Sequence, residues 1–176
     1  MRRAVIVLSG AAILLAGCTA SPTEPPRLSP EIPGDPLDFT QFAAAPCGLL
    51  DQQQLAHYYV TTPGVPKPPG CAWTPSDTAK LAYQASVDTT SGGIEALYQH
   101  RATIPGFAPT EVHSYPAIHR DTTDGHCTVQ VGVANDTLLA VTVDATDPAL
   151  SAHADPCAEA DHFAGTIIGY QGHRKP

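Results

Sequence analysis

The chain has 176 residues, 17 of them acidic against nine basic, for a formal charge of −8. That balance gains nothing from a phosphate backbone, so nucleic acid is not an expected partner. Charge alone would also repel the chain from anionic headgroups.

Arg2 and Arg3 precede an apolar run, residues 4–16, broken only by Ser9 and Gly10. A membrane span needs about 20 residues, so the run fits the apolar segment of an export signal. Leu15-Ala16-Gly17-Cys18 then closes it in the layout of a bacterial lipoprotein signal. The expectation is a signal peptide over 1–17, cleavage before Cys18, and a diacylglycerol on the Cys18 sulfur. A further acyl chain on the new N-terminus gives the multi-chain anchoring that holds a protein on a bilayer. Cleavage removes both arginines and leaves seven basic residues against 17 acidic ones. The lipid, and not charge, is therefore expected to hold the protein on the outer face of the cytoplasmic membrane.

Residues 18–44 are expected to form a disordered tether. Pro22, Pro25, Pro26, Pro30, Pro33 and Pro36 lie in it, and Pro46 follows. Large apolar side chains are few there, so little burial is available to offset chain entropy. Leu37-Asp38-Phe39 and Phe42 are the exception and are expected to pack onto the body.

Residues 45–173 suffice for one domain with its own core. Asp51 is placed to cap a first helix, with Gln54 at N3 and Leu50 and Leu55 as a hydrophobic staple. That helix is expected to reach Tyr59. A stiff loop follows over 61–70, with prolines at 63, 66, 68 and 69. Cys71-Ala72-Trp73 begins a strand. Leu81, Tyr83, Ala85 and Val87 alternate with polar or small residues, which predicts a strand with one buried face. Ser91-Gly92-Gly93 introduces a second helix carrying Ile94, Leu97 and Tyr98 and stopping near Pro105-Gly106.

Three further strands are predicted at 116–120, 128–134 and 138–145, with a turn over 121–125. Val129, Val131 and Val133 share one face of their strand, and Leu139, Val141 and Val143 one face of the next. A plain two-residue Asn135-Asp136 turn would set Val131 against Ala140. One residue of slip inverts a strand's faces, so an odd loop or a bulge is expected, pairing Val131 with Val141. Asn135-Asp136-Thr137 is formally a glycosylation sequon and more simply a turn. Asp155 and Pro156 start a last helix. Cys157, Ala160, Phe163, Ala164, Ile167 and Ile168 form its apolar stripe, and Gly172 ends it.

These elements add up to an α+β fold, a mainly antiparallel sheet of about five strands packed with three helices. With Cys18 acylated, Cys47, Cys71, Cys127 and Cys157 remain, and an export compartment favours their oxidation. Four cysteines allow three connectivities, and spacing alone does not choose. The pairing Cys47–Cys71 and Cys127–Cys157 is preferred for its symmetry: each bridge would tie one helix to one strand.

With these residues placed, the chain resembles the actinobacterial envelope lipoproteins grouped as domain of unknown function 3558. The matching pieces are Cys18 in its signal, the proline-rich tail, Cys47-Gly48-Leu49-Leu50-Asp51, and Cys71-Ala72-Trp73. Cys127-Thr128-Val129-Gln130-Val131 and Cys157 at the head of the last helix complete the set. The resemblance covers about residues 45–170. In such relatives a glycine often precedes the strand near Ala117. Here His113-Ser114-Tyr115-Pro116 stands in that place, so a different turn is expected. The resemblance implies an exported lipoprotein and transfers no reaction.

No Gly-x-Ser-x-Gly elbow, His-Glu-x-x-His pair, Gly-Lys-Ser/Thr phosphate loop or dinucleotide glycine run occurs. No catalytic residue is assigned and no cofactor is implied. His113, His119 and His126 lie around the predicted turn, beside Asp121 and Asp124. His119 meeting His126 across it would make a pair of zinc or copper ligands or a pH-sensitive patch. Scattered solvent-facing histidines are the plainer explanation. Tyr58, Tyr59, Trp73, Tyr98 and Tyr115 would line a groove or, more ordinarily, pack the rim of a core.

Three functions follow in order of expectation. The first is a non-catalytic envelope module binding a protein partner or a cell-wall component. The second is a carrier or sensor of a small apolar ligand held between sheet and helix. The third is a metal-binding or enzymatic protein using the histidines.

Overall fold

The computed structural model describes residues 26–33, 36–76, 81–145 and 155–173. The leader and Cys18 lie outside them. The fold is α+β, with seven antiparallel strands in the order β1-β2-β3-β7-β6-β5-β4. The strands are β1 (Val65–Lys67), β2 (Gly70–Trp73), β3 (Leu81–Asp88), β4 (Ala108–Val112), β5 (Tyr115–Thr123), β6 (His126–Ala134) and β7 (Thr137–Ala145). Four described α-helices accompany them: α1 (Thr40–Ala44), α2 (Gln52–Ala56), α3 (Gly93–Gln99) and α4 (Pro156–Gly172). Two meanders, β1-β2-β3 and β4-β5-β6-β7, therefore share one sheet. They meet where β3 pairs with β7.

The two strands beyond the expected five are the sheet's edges. β1 lies inside the predicted proline loop, and β4 carries Pro109. Proline cannot donate to a ladder, so it is tolerated at an edge. Neither strand has a clean alternation to betray it, since β1 is exposed at all three positions. The fourth helix, α1, falls within the expected tether. That segment does not stand apart from the body. Leu37 and Phe39 are buried in the core with Phe42 packed against it, as expected of them, and Ser29 is buried as well. The Glu95 carboxylate of α3 accepts the Leu28 amide at 3.1 Å and the Ser29 amide at 2.8 Å. The body thus begins near Leu28 and not at residue 45.

Helix starts follow the sequence closely. Asp51 accepts the amides of Gln53 and Gln54 at 2.9 and 3.0 Å, and Leu50 and Leu55 are buried behind it. Asp155 accepts those of Cys157 and Ala158 at 3.0 and 3.2 Å. Helix α2 is shorter than expected. It ends at Ala56, and turns lead to Tyr59 at φ 57°. The second predicted helix also divides, into α3 and a 3-10 turn at Arg101–Thr103.

One face of the sheet holds Trp73, Tyr83, Ala85, Val129, Val131, Leu139, Val141 and Val143 against Ala160, Phe163, Ala164, Ile167 and Ile168 of α4. Phe163 is the centre of this layer. It stacks on Tyr83 at 4.6 Å between centroids and meets Tyr58 at 4.7 Å and Trp73 at 5.7 Å. On the opposite face Ile94 of α3 packs on Ile118 and Leu138. Gly132 makes room there, since a Cβ at that position would lie 2.7 Å from the Cβ of Ile94.

The β6–β7 hairpin contains the expected bulge, but in a different register. Ala134 pairs with Thr137 across a two-residue Asn135-Asp136 turn, and Gly132 then pairs with Leu138. Val133 is the extra residue. Val131 therefore faces Leu139, and Val129 faces Val141, two residues from the expected register. A shift of two preserves the faces, which is why the apolar stripes remain in phase. The Val133 carbonyl accepts the Leu37 amide at 2.9 Å.

The bridges are Cys47–Cys71 and Cys127–Cys157. The first ties the 3-10 turn Pro46–Gly48 to β2, and the second ties α4 to β6. In the chain-entropy account each stabilises by roughly 3–4 kcal/mol for loops of this size.

Candidate functional site

A cleft of about 730 Å³ opens between α4 and the β4–β5 hairpin. Helix α4 supplies its floor through Asp161, Gly165 and Gly169, spaced four apart, and through His162, Thr166, Tyr170 and His173 beside them. One wall is the hairpin tip, Glu111, Val112 and His113, and Gln54 of α2 stands on the other side.

The tip is a two-residue turn, His113-Ser114, closed by the pair Val112 and Tyr115. Both turn residues hold positive φ, 50° and 70°. Such a turn suits glycine or asparagine, and other side chains adopt it under strain. The turn carries an imidazole on backbone that suits glycine. The ring lies over the two floor glycines. A Cβ at Gly165 would come within 3.1 Å of His113 Nε2, and one at Gly169 within 3.6 Å of Cε1. Only a helix face without side chains admits the ring this closely.

The other flank of α4 is latched to the N-terminal part of the domain. The Tyr58 hydroxyl bonds Thr166 Oγ1 at 2.5 Å and donates to the His162 carbonyl at 3.2 Å. Burial pushes the Tyr58 hydroxyl above its ordinary value, and burial raises Tyr83 further. Both phenols are therefore neutral across the working pH range. Tyr170 donates to Asp51 at 2.7 Å, and Gln171 Nε2 donates to the Leu49 carbonyl at 2.7 Å. The floor is consequently rigid, while Glu111, His113, His162 and His173 remain exposed around it.

The predicted pair His119 and His126 is not brought together. Strand β5 runs on to Thr123, so the turn contracts to Asp124-Gly125. His119 then pairs with Val129 and lies on the α4 side. His126 pairs with Asp144 on the other side. Each ring has its own carboxylate: His119 Nε2 meets Asp161 Oδ1 at 2.8 Å, and His126 Nδ1 meets Asp144 Oδ1 at 2.5 Å. Asp121 bonds Arg120 Nε at 2.6 Å, and Asp124 sits exposed on the turn. A ring nitrogen of His119 and the sulfurs of Cys127 and Cys157 do lie within 4.8 Å of one another. Those sulfurs are bonded to each other, so the group is no ready cation site.

The tyrosines and the tryptophan do not share a groove. Tyr58 and Trp73 are core residues, Tyr98 packs edge-on to Phe107 on the opposite face, and Tyr59 is 61% exposed. Asn135 and Asp136 form the expected turn, with Thr137 buried behind it. The sequence pointed to His113, but nothing in it singled out Asp161, His162 or His173. The i, i+4 spacing of Asp161, Gly165 and Gly169 was the available signal.

The family described as protein of unknown function (DUF3558) matches the chain over residues 13–170. No curated protein and no solved structure matches it.

Proposed function

We propose, for a chain that belongs to the DUF3558 family of proteins of unknown function, the role of an exported, lipid-anchored cell-envelope module. Its task is to bind a protein partner or a cell-wall component through the cleft between α4 and the β4–β5 hairpin. The observation that carries this reading is the strained His113-Ser114 tip seated over Gly165 and Gly169. A fold tolerates backbone strain where neighbouring structure over-determines it, and such positions cluster at binding sites.

The anchor is supported by the chain's own arithmetic. The family match takes in Cys18. From Cys18 to Leu28, where the body begins, is ten residues, a reach of at most about 31 Å in extended polyproline form. The domain is then held close to the bilayer, on acyl chains and without charge attraction.

A carrier of a small apolar ligand would need space between sheet and α4. Val129, Val141 and Ile167 fill that space and are fully buried. A metal centre on His119 and His126 lacks its geometry, because the rings occupy opposite faces of the sheet.

Photo-crosslinking in intact cells tests the cleft. A photoreactive residue at His162 is expected to capture one dominant species, and the same residue at exposed Asp136 is expected not to. Indistinguishable capture from the two positions would contradict the proposal.

A further inference from the structure

The two disulfides sit in unlike surroundings. Cys71 is fully buried, and a Cβ on Gly64 would lie 2.5 Å from its sulfur and 2.4 Å from Trp73 Nε1. That sulfur is walled in by an indole and a backbone. Cys127 is also fully buried, and each bridge has one partly exposed sulfur-bearing residue, Cys47 in the first and Cys157 in the second, so burial does not separate them. Around this second bond stand three polar groups that a purely structural crosslink does not need. A ring nitrogen of His119 lies within 4.8 Å of both sulfurs. Asp161 holds that ring at 2.8 Å. Thr122 Oγ1 is 3.7 Å from each sulfur.

We propose that Cys127–Cys157 is an exchange-active disulfide, opened by a partner dithiol at Cys157, with His119 as the proton donor to the departing Cys127. A thiolate of the reductant attacks the reachable Cys157 sulfur. The new sulfur–sulfur bond forms as the Cys127–Cys157 bond breaks, and the electron pair passes to Cys127 Sγ. A thiolate forming at a fully buried atom is costly unless it is neutralised. Imidazolium His119 supplies the proton, and the Thr122 hydroxyl supplies a hydrogen bond. The reductant's second thiol gives its proton to the imidazole and attacks its own sulfur in the mixed disulfide, expelling Cys157. The protein disulfide gains two electrons, and the dithiol leaves as a disulfide.

Asp155 already caps the Cys157 amide. The helix end is therefore not what sets this bond apart; the histidine is. Asp161 is a positioning residue that aims the ring. Opening the bond would release α4 from β6, and α4 is the floor of the cleft.

The test uses the folded full chain with dithiothreitol, trapping free thiols by alkylation at timed intervals and assigning them by peptide mass. In the wild type Cys127–Cys157 is expected to open at least about tenfold ahead of Cys47–Cys71. His119→Gln should remove most of that lead and leave the Cys47–Cys71 rate unchanged, which reports an intact fold. Asp161→Asn should reduce the lead in part. Equal opening of the two bonds in the wild type overturns the proposal, as does a full lead in His119→Gln. If His119→Gln accelerates both bonds together, Asp161→Asn decides: a full lead there overturns, and a reduced lead over an unchanged Cys47–Cys71 rate supports.

Discussion

The imidazole of His113 lies directly on Gly165 of α4, so close that a Cβ there would meet Nε2 at 3.1 Å and Cδ2 at 3.2 Å. Two effects of opposite sign compete at this glycine. Alanine in a helix interior is favoured over glycine by about 1 kcal/mol. The ring must shift a few tenths of an ångström to admit the methyl group. His113 is exposed at a hairpin tip and has somewhere to go. Gly165→Ala is therefore expected to be near neutral by denaturant titration. In a His113→Ala background the same change should stabilise by about 1 kcal/mol. The double-mutant cycle isolates the ring contact. Equal effects in both backgrounds would mean the ring does not press on the helix.

The turn beneath that ring gives a second prediction. Ser114 holds φ 70° without being glycine. Ser114→Gly should relieve strain and stabilise the domain by about 1 kcal/mol, raising Tm. It leaves the His113 side chain in place. If the strain serves binding, the variant should also loosen the tip, read as faster hydrogen exchange at Val112 and Tyr115.

Glu95 fastens the start of the body. Bonds from the Ser29 and Leu28 amides hold its carboxyl down at about 2 against an ordinary 4.5, with burial opposing. A carboxyl depressed in the folded state favours folding in its charged form. Its contribution is full above pH 4.5 and is lost as pH falls toward 2. The protection factors of the Leu28 and Ser29 amides, measured against intrinsic exchange, should fall over that window, while Val129 and Val141 in the core stay protected. Glu95→Gln should show the lowered protection already at pH 7. Protection of Ser29 that is unchanged by the substitution would refute the fastening role.

Much of this architecture was legible in residue order because the signals were local. Asp51 and Asp155 cap as read, the Leu81–Asp88 alternation is a strand, and the in-phase valines called for an odd loop or a bulge, of which the structure has the bulge. The edge strands escaped because Val65-Pro66-Lys67 and Ala108-Pro109-Thr110 bury little and contain proline. The docking of Leu28 and Ser29 escaped because their partner lies 66 or 67 residues away on α3. The histidine pair failed for a physical reason. Strand β5 runs three residues further than expected, which sets His119 opposite Val129, and alternation sent His126 through to the other face. The cleft itself was invisible. Its floor is defined by side chains that glycine lacks, and its wall comes from a hairpin about 50 residues away in sequence.

The proposed place of the protein rests on Cys18. The direct measurement is the mass of the N-terminal peptide of the protein recovered from its native membrane. The account predicts that residues 1–17 are gone and that the peptide begins at Cys18 with a diacylglycerol on sulfur and an acyl chain on nitrogen. A peptide that retains Met1, or that carries Cys18 as an unmodified thiol, would contradict it.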